Sequence, residues 1–274
     1  MIQNFSGLAF NQAPDSQNQI HSDEMAKRYG FKGGLVPGVT LSAYLTQPAV
    51  SHWGQAFLDR GWAEIKILHP VYHGEPFDVM VRALEEEQFE AELVDATGKV
   101  CAKARVGLDQ DEAAGKPKWL DQTLMPEGYV PPKATPETFT KLKQTGGLET
   151  RYRWSRQHPM AAYFADAAAM PALLRFDAAE TGSSGWANTS FVLSCGNWVF
   201  AANALMNPWV HLETRHQNFA AIEDGAEVAV QMVVEALFEK KGHQFADVRI
   251  NLFNAISRAP LATIWQRAIY HLRS

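Results

Sequence analysis

The chain has 274 residues, of which 46% are apolar and 20% charged, and its net charge is −5. That length suits one large domain or two modest ones with a sizeable buried core. The 25 basic and 30 acidic side chains show no basic face of the kind that binds nucleic acid, and no apolar run approaches membrane-spanning length. Cys101 and Cys195 sit in apolar surroundings without metal-ligand spacing, so both are read as buried thiols and no metal site is expected. The start, Met-Ile-Gln-Asn-Phe-Ser, has neither a basic segment nor a long apolar one, so a soluble, cytoplasmic protein is expected.

In chain order, a polar stretch at Asn18–Asp23 leads into a short helix to Tyr29, with Ser22 or Asp23 at its cap. Val39 to Leu45 follows Pro37-Gly38, is apolar with small residues, and reads as a buried helix. Strand-like alternation comes next at Glu64–Ile67, Phe77–Ala83 and Lys99–Val106, with a hairpin signal at Asp95–Gly98. One apolar face at period two means antiparallel strands covering something on one side. Residues 109–147 are polar, hold five of the 14 prolines and read as a linker, with a short helix near Thr138–Lys143.

The second half replays the first. An apolar helix is expected over Trp198–Met206, then a strand from Trp209. Val228–Ala236 and Ala246–Leu252 alternate on either side of a turn at Lys240–Gly242, and a last strand covers Ala262–Leu272. His211 and His216 lie five apart on the strand from Trp209, which puts them on opposite faces and argues against a shared metal. Two sheets, each wrapped around one helix, make an α+β protein. There is no βαβ alternation and no glycine fingerprint for a dinucleotide fold.

Asn18-Gln-Ile-His21, then Ala26, Gly30-Phe31 and Leu35-Val36-Pro37-Gly38, resembles the signature of MaoC-like, R-specific enoyl-CoA hydratases and dehydratases. The resemblance implies a double hot-dog with two antiparallel sheets, each around a central helix. It implies a first hot-dog at 1–108 carrying the motif, a linker at 109–147, and a second hot-dog at 148–274 without it. It also implies a hydro-lyase that adds water reversibly to an enoyl-CoA, with coenzyme A entering only as part of the substrate. A homodimer of double hot-dogs is compatible with it. The family aspartate lies five residues before the histidine; here that position is Ser16, and the nearest acid is Asp15. Gln19 stands in place of the family proline.

Hydration of an enoyl thioester needs a base for water, an acid for the α-carbon and an anion hole for the enolate oxygen. The resemblance assigns the acid and base work to His21 with Asp15, and the placing of water or loop to Asn18. In the same reading the Gly38 N–H, at an expected helix start where backbone donors are unpaired, would be the oxyanion donor. Lys27, Arg28 and Lys32 form a basic cluster that could receive the phosphates of coenzyme A; a solvated helix face is the plainer reading. Without the resemblance, His21 fits best as a residue capping the following helix, and Asp15 as part of a turn. Two alternatives remain: an acyl-CoA thioesterase, and a non-catalytic acyl-CoA binding protein.

Overall fold

The computed structural model describes residues 2–16, 18–109, 115–176, 185–206 and 209–272. The first half contributes β1 (Phe5–Leu8), α1 (Asp23–Arg28), α2 (Gly38–Trp53), α3 (Gln55–Arg60), β2 (Gly61–Ile67), β3 (Pro76–Glu85), β4 (Gln88–Asp95) and β5 (Val100–Leu108). After α4 (Pro136–Thr145), the second half contributes β6 (Thr150–Arg153), α5 (Thr189–Asn203), β7 (Val210–Asn218), β8 (Glu227–Lys240), β9 (His243–Asn254) and β10 (Pro260–His271). The expected strands are present, and β1, β6 and α3 are additions that the alternation did not single out.

The two expected sheets are halves of one. All ten strands join in the order β1-β3-β4-β5-β2-β7-β10-β9-β8-β6, with β2 and β7 pairing antiparallel at the centre. Each of these strands would otherwise leave a row of unpaired backbone groups at the edge of its half. Their faces also match. Ile65 lies opposite Thr214 and Ala63 opposite His216 on the helix side, while Lys66 meets Glu213 at 2.8 Å on the outer side.

The central helices α2 and α5 lie side by side against the inner face, linked by a buried hydrogen bond of 2.9 Å from the Thr46 hydroxyl to that of Thr189. Helix α2 runs on past the expected Leu45 to Trp53, through Pro48. A proline there removes one backbone hydrogen bond, and the helix is held on every side by the core. Helix α5 begins at Thr189 rather than Trp198, because the Asn188 side chain caps it by accepting from Phe191 N at 3.0 Å. Ser190, Ser194 and Gly196 blurred its apolar period in the sequence. They are buried and let the helix approach the sheet: a Cβ on Gly196 would stand 3.3 Å from Ile250 Cδ1. The segment before β6 is fastened to the second half, where Leu120 N donates to Gln231 Oε1 at 2.9 Å and Met125 N to Glu149 O at 2.9 Å.

A tyrosine hub fixes the N-terminal loop between the halves. Fully buried Tyr44 of α2 accepts from Phe10 N at 2.9 Å and donates to Tyr163 O at 2.9 Å. Tyr163 in turn donates to Gln47 Oε1 at 2.8 Å. Removing the Tyr44 hydroxyl strands a backbone donor and an acceptor where water cannot replace it. Tyr44→Phe is therefore expected to lower the unfolding free energy by about 1–3 kcal/mol, read from denaturant midpoints at unchanged slope.

Candidate active site

The loop from Asn18 to Pro37 is braced by its own backbone. Leu35 N donates to Ile20 O at 3.2 Å, and Gly34 N to Asp23 Oδ1 at 2.7 Å. Gly34 passes so close to the preceding strand of loop that a Cβ there would lie 2.3 Å from the His21 carbonyl oxygen, so only glycine fits. Val36 N then donates to Val71 O at 2.9 Å, which delivers Pro37 and Gly38 to the start of α2.

This loop closes one side of a cavity of about 220 Å³. His21, Asn18, Phe31 and Gly38 line it together with Leu41 of α2 and Ile67 of β2. Exposed Leu68, His69 and Pro70 stand at its mouth. The far wall belongs to the second half: Asn197 of α5, Trp209, and Val210 to Leu212 of β7. The site thus straddles the β2–β7 junction. No aspartate, glutamate, lysine or arginine is among the described residues that line it.

The His21 ring nitrogen Nδ1 lies 2.8 Å from Leu35 O. A carbonyl only accepts, so Nδ1 carries the proton and Nε2 keeps its lone pair. Burial pushes the His21 pKa below its ordinary value, with the Leu35 hydrogen bond a smaller opposing influence. His21 is therefore a neutral base at neutral pH. Asn18 donates from Nδ2 to Trp209 O at 3.3 Å, which ties the loop to the second half, and its Oδ1 is buried with no protein partner. At Gly38 a Cβ would make only ordinary contact, 3.5 Å from Ile67 Cγ1. Space for a ligand against the backbone, rather than strain, is what a side chain there would remove.

His21, Asn18 and Gly38 are thus brought together, and Asp15 is not. The turn closed by Ser16 N to Ala13 O at 3.1 Å, with the Ser16 hydroxyl donating to Asn18 O at 3.0 Å, leaves Asp15 exposed and away from the cavity lining. The expected basic cluster is likewise off the cavity. Arg28 pairs with Glu24 at 2.6 Å, Lys32 pairs with Glu75 and lies over the Tyr72 ring, and Lys27 is exposed. Neighbouring acids thus compensate two of the three cations.

His211 and His216 reverse an expectation. Glu213 faces Arg267 and His211 faces Ala268, so Leu212 is an extra residue bulged out of the β7–β10 ladder. The bulge shifts side-chain parity by one, and both histidines lie on the inner face. Burial pulls each pKa down to about 4. Among the described residues no group of His, Cys, Asp or Glu could hold a metal. Asn197 and His211 were missed as site residues: a lone asparagine in an apolar helix and a histidine on a strand give no signal until the halves meet.

No protein-family profile matches this chain, and no curated protein does. Solved structures do. A conserved protein of Mycobacterium tuberculosis with a double hot-dog fold aligns over 97% of this chain and 95% of its own, at TM-score 0.61 and 11% identity. This chain has a double hot-dog fold. A MaoC-like dehydratase aligns over 97% and 98% of the two chains, at TM-score 0.54 and 15% identity. A protein of Thermobifida fusca assigned as a thioesterase II aligns over 88% and 89%, at TM-score 0.52 and 12% identity. At these identities the likeness establishes the double hot-dog architecture. Among the described residues, no helix is long and apolar enough to cross a membrane.

The buried histidines make stability depend on pH. The unfolded chain takes up imidazole protons near pH ~6.5, whereas folded His211 and His216 resist protonation down to about 4. Between those values the unfolded state binds more protons, so stability is full above the upper value and falls as pH drops through the window. At about 1.4 kcal/mol per unit, the loss is on the order of 3 kcal/mol for each histidine. Denaturant titrations from pH 7 to 4.5 are expected to show this fall, and His216→Leu to flatten it.

Proposed function

We propose that this protein is an acyl-thioester enzyme of the MaoC-like type, reversibly adding water to an enoyl-CoA. The observation that carries the reading is a neutral imidazole of set tautomer beside a helix start in one cavity. Its Nε2 lone pair can take a proton from water, and the hydroxide then bonds to the β-carbon. The π electrons move toward the carbonyl, and the enolate oxygen gains charge where the first N–H groups of α2 and its positive end are available. The protonated Nε2 gives its proton to the α-carbon, which restores the neutral ring. In this reading one imidazole performs both transfers, and exposed Asp15, which is not in the cavity lining, takes no part.

A second reading, thioester hydrolysis, is favoured by the lack of a carboxylate among the described lining residues. The same His21 and anion hole suffice for water to attack the carbonyl carbon, with the proton passing to the departing thiolate. Crotonyl-CoA separates the two: hydration removes the enoyl absorbance and leaves the thioester intact, whereas hydrolysis releases free thiol. Failure of both signals, across chain lengths, would refute an enzymatic role and leave a binding protein.

His21→Ala is expected to lower kcat/KM by about 10²–10⁴ in whichever assay responds. Gly38→Ala is expected to keep the unfolding midpoint, since its Cβ meets only ordinary contact, while kcat falls at least tenfold as the thioester oxygen is pushed off the helix start.

A further inference from the structure

The chemistry above needs the proton of His21 on Nδ1, and that needs Leu35 O to stay beside that nitrogen, where it lies 2.8 Å away. A neutral imidazole carries its proton on either nitrogen, and the hydrogen bond made by one decides which keeps the lone pair. Val36 N, donating to Val71 O at 2.9 Å, fixes the plane of the Leu35–Val36 peptide from the far side. It does not fix how near that peptide comes to His21. The nearness depends on how closely residues 20–23 and 33–35 are drawn together, and α1, which joins the two runs, buries only Ala26.

Two further hydrogen bonds draw the runs together. Leu35 N donates to Ile20 O at 3.2 Å, and Gly34 N donates to Asp23 Oδ1 at 2.7 Å. The second is the shorter and has a carboxylate as acceptor, so it is the stronger. Two glycines make room for it: a Cβ on either Gly33 or Gly34 would stand 3.2 Å from Asp23 Oδ1. Asp23 is exposed and is not in the cavity lining, so any effect on the site passes through the loop. Its place in the first turn of α1 is shared with Glu24, and an acid there favours the helix start without any bond to Gly34.

We infer that Asp23 is a positioning residue: by holding Gly34 against His21 it keeps Leu35 O on Nδ1 and the basic lone pair on Nε2. The kinetic half of the inference rests on the acyl-thioester reading, whereas the tautomer is a property of the protein alone. A ring that loses its acceptor populates the other tautomer, whose lone pair sits on the wrong nitrogen for the proposed proton transfers, and its plane is no longer fixed.

The test labels the full chain with ¹⁵N-histidine and reads the tautomer of His21 at neutral pH from long-range ¹H–¹⁵N correlations, with His21→Ala assigning the signal. The wild-type protein is expected to show the Nδ1–H form. Asp23→Ala is expected to populate the Nε2–H form and to lower kcat by about ten- to a hundredfold with KM little changed. Asp23→Asn, which keeps an acceptor oxygen, is expected to restore most of both. Glu24→Ala removes the same charge from the same turn, together with its ion pair to Arg28, and is expected to change neither. Should Asp23→Ala fail to fold, Asp23→Glu replaces it: the charge stays at the helix start while the longer arm carries the carboxylate past Gly34 N, and the same change of tautomer is expected. An unchanged His21 tautomer in the folded Asp23 variant overturns the inference, even where kcat falls. A changed tautomer in a protein that turns over no thioester supports the positioning role and refutes the enzymatic reading, so the two fail separately.

Discussion

β2 and β7 meet antiparallel along the middle of the sheet, and the rest of the molecule is arranged around that junction. It removes an open edge from each half, brings α2 and α5 side by side beneath it, and sets the loop of the first half against the first residues of β7. The cavity exists only because of this. One wall carries His21 and Gly38, the other carries Asn197 and His211, and the hydrogen bond from Asn18 to Trp209 O spans them. Neither half alone supplies the whole lining of the site.

The electrostatics of the cavity follow from its position. The cavity lies between two packed halves, and burial there disfavours charge on an imidazole. His21 and His211 are both shifted downward by burial. The protein has placed its carboxylates and cations elsewhere, as cross-strand pairs such as Lys66–Glu213 and Arg267–Asp247 on the sheet. A neutral site of this kind favours chemistry in which charge appears only transiently. The enolate or tetrahedral oxyanion is such a charge, and a helix start can meet it without a resident cation.

Much of the fold was legible because period-two alternation and the helix opening at Pro37-Gly38 are local signals. The duplicated order of helix and strands could be read from residues such as Val228–Ala236 and Ala246–Leu252. What escaped depended on the other half of the chain. The fusion of two sheets is decided by edge matching between β2 and β7, which no window of sequence contains. The early start of α5 was hidden because Ser190, Ser194 and Gly196, polar or small by type, serve as close-packing positions. At the site, the loop motif placed His21, Asn18 and Gly38, whose spacing is local. Asp15 was misplaced because a turn, not a count of residues, decides where its side chain points. Asn197 and His211 escaped because the rest of the cavity lining they join belongs to the first half.

The extra residue at Leu212 has a wider meaning. Along a strand every side chain belongs to one of two sets, interior or exterior, and a single inserted position exchanges the sets for everything on one side of it. In β7 the exchange happens between Thr214 and His211, so the outer stretch of the strand keeps its ion pairs while the inner end presents an imidazole to the cavity. A strand built this way can acquire or lose a site residue through a one-codon insertion or deletion, with no substitution and no change in the sheet's connections. Comparisons of double hot-dog chains that count only identities at aligned positions would pass over such an event, because it is recorded in length rather than in letters.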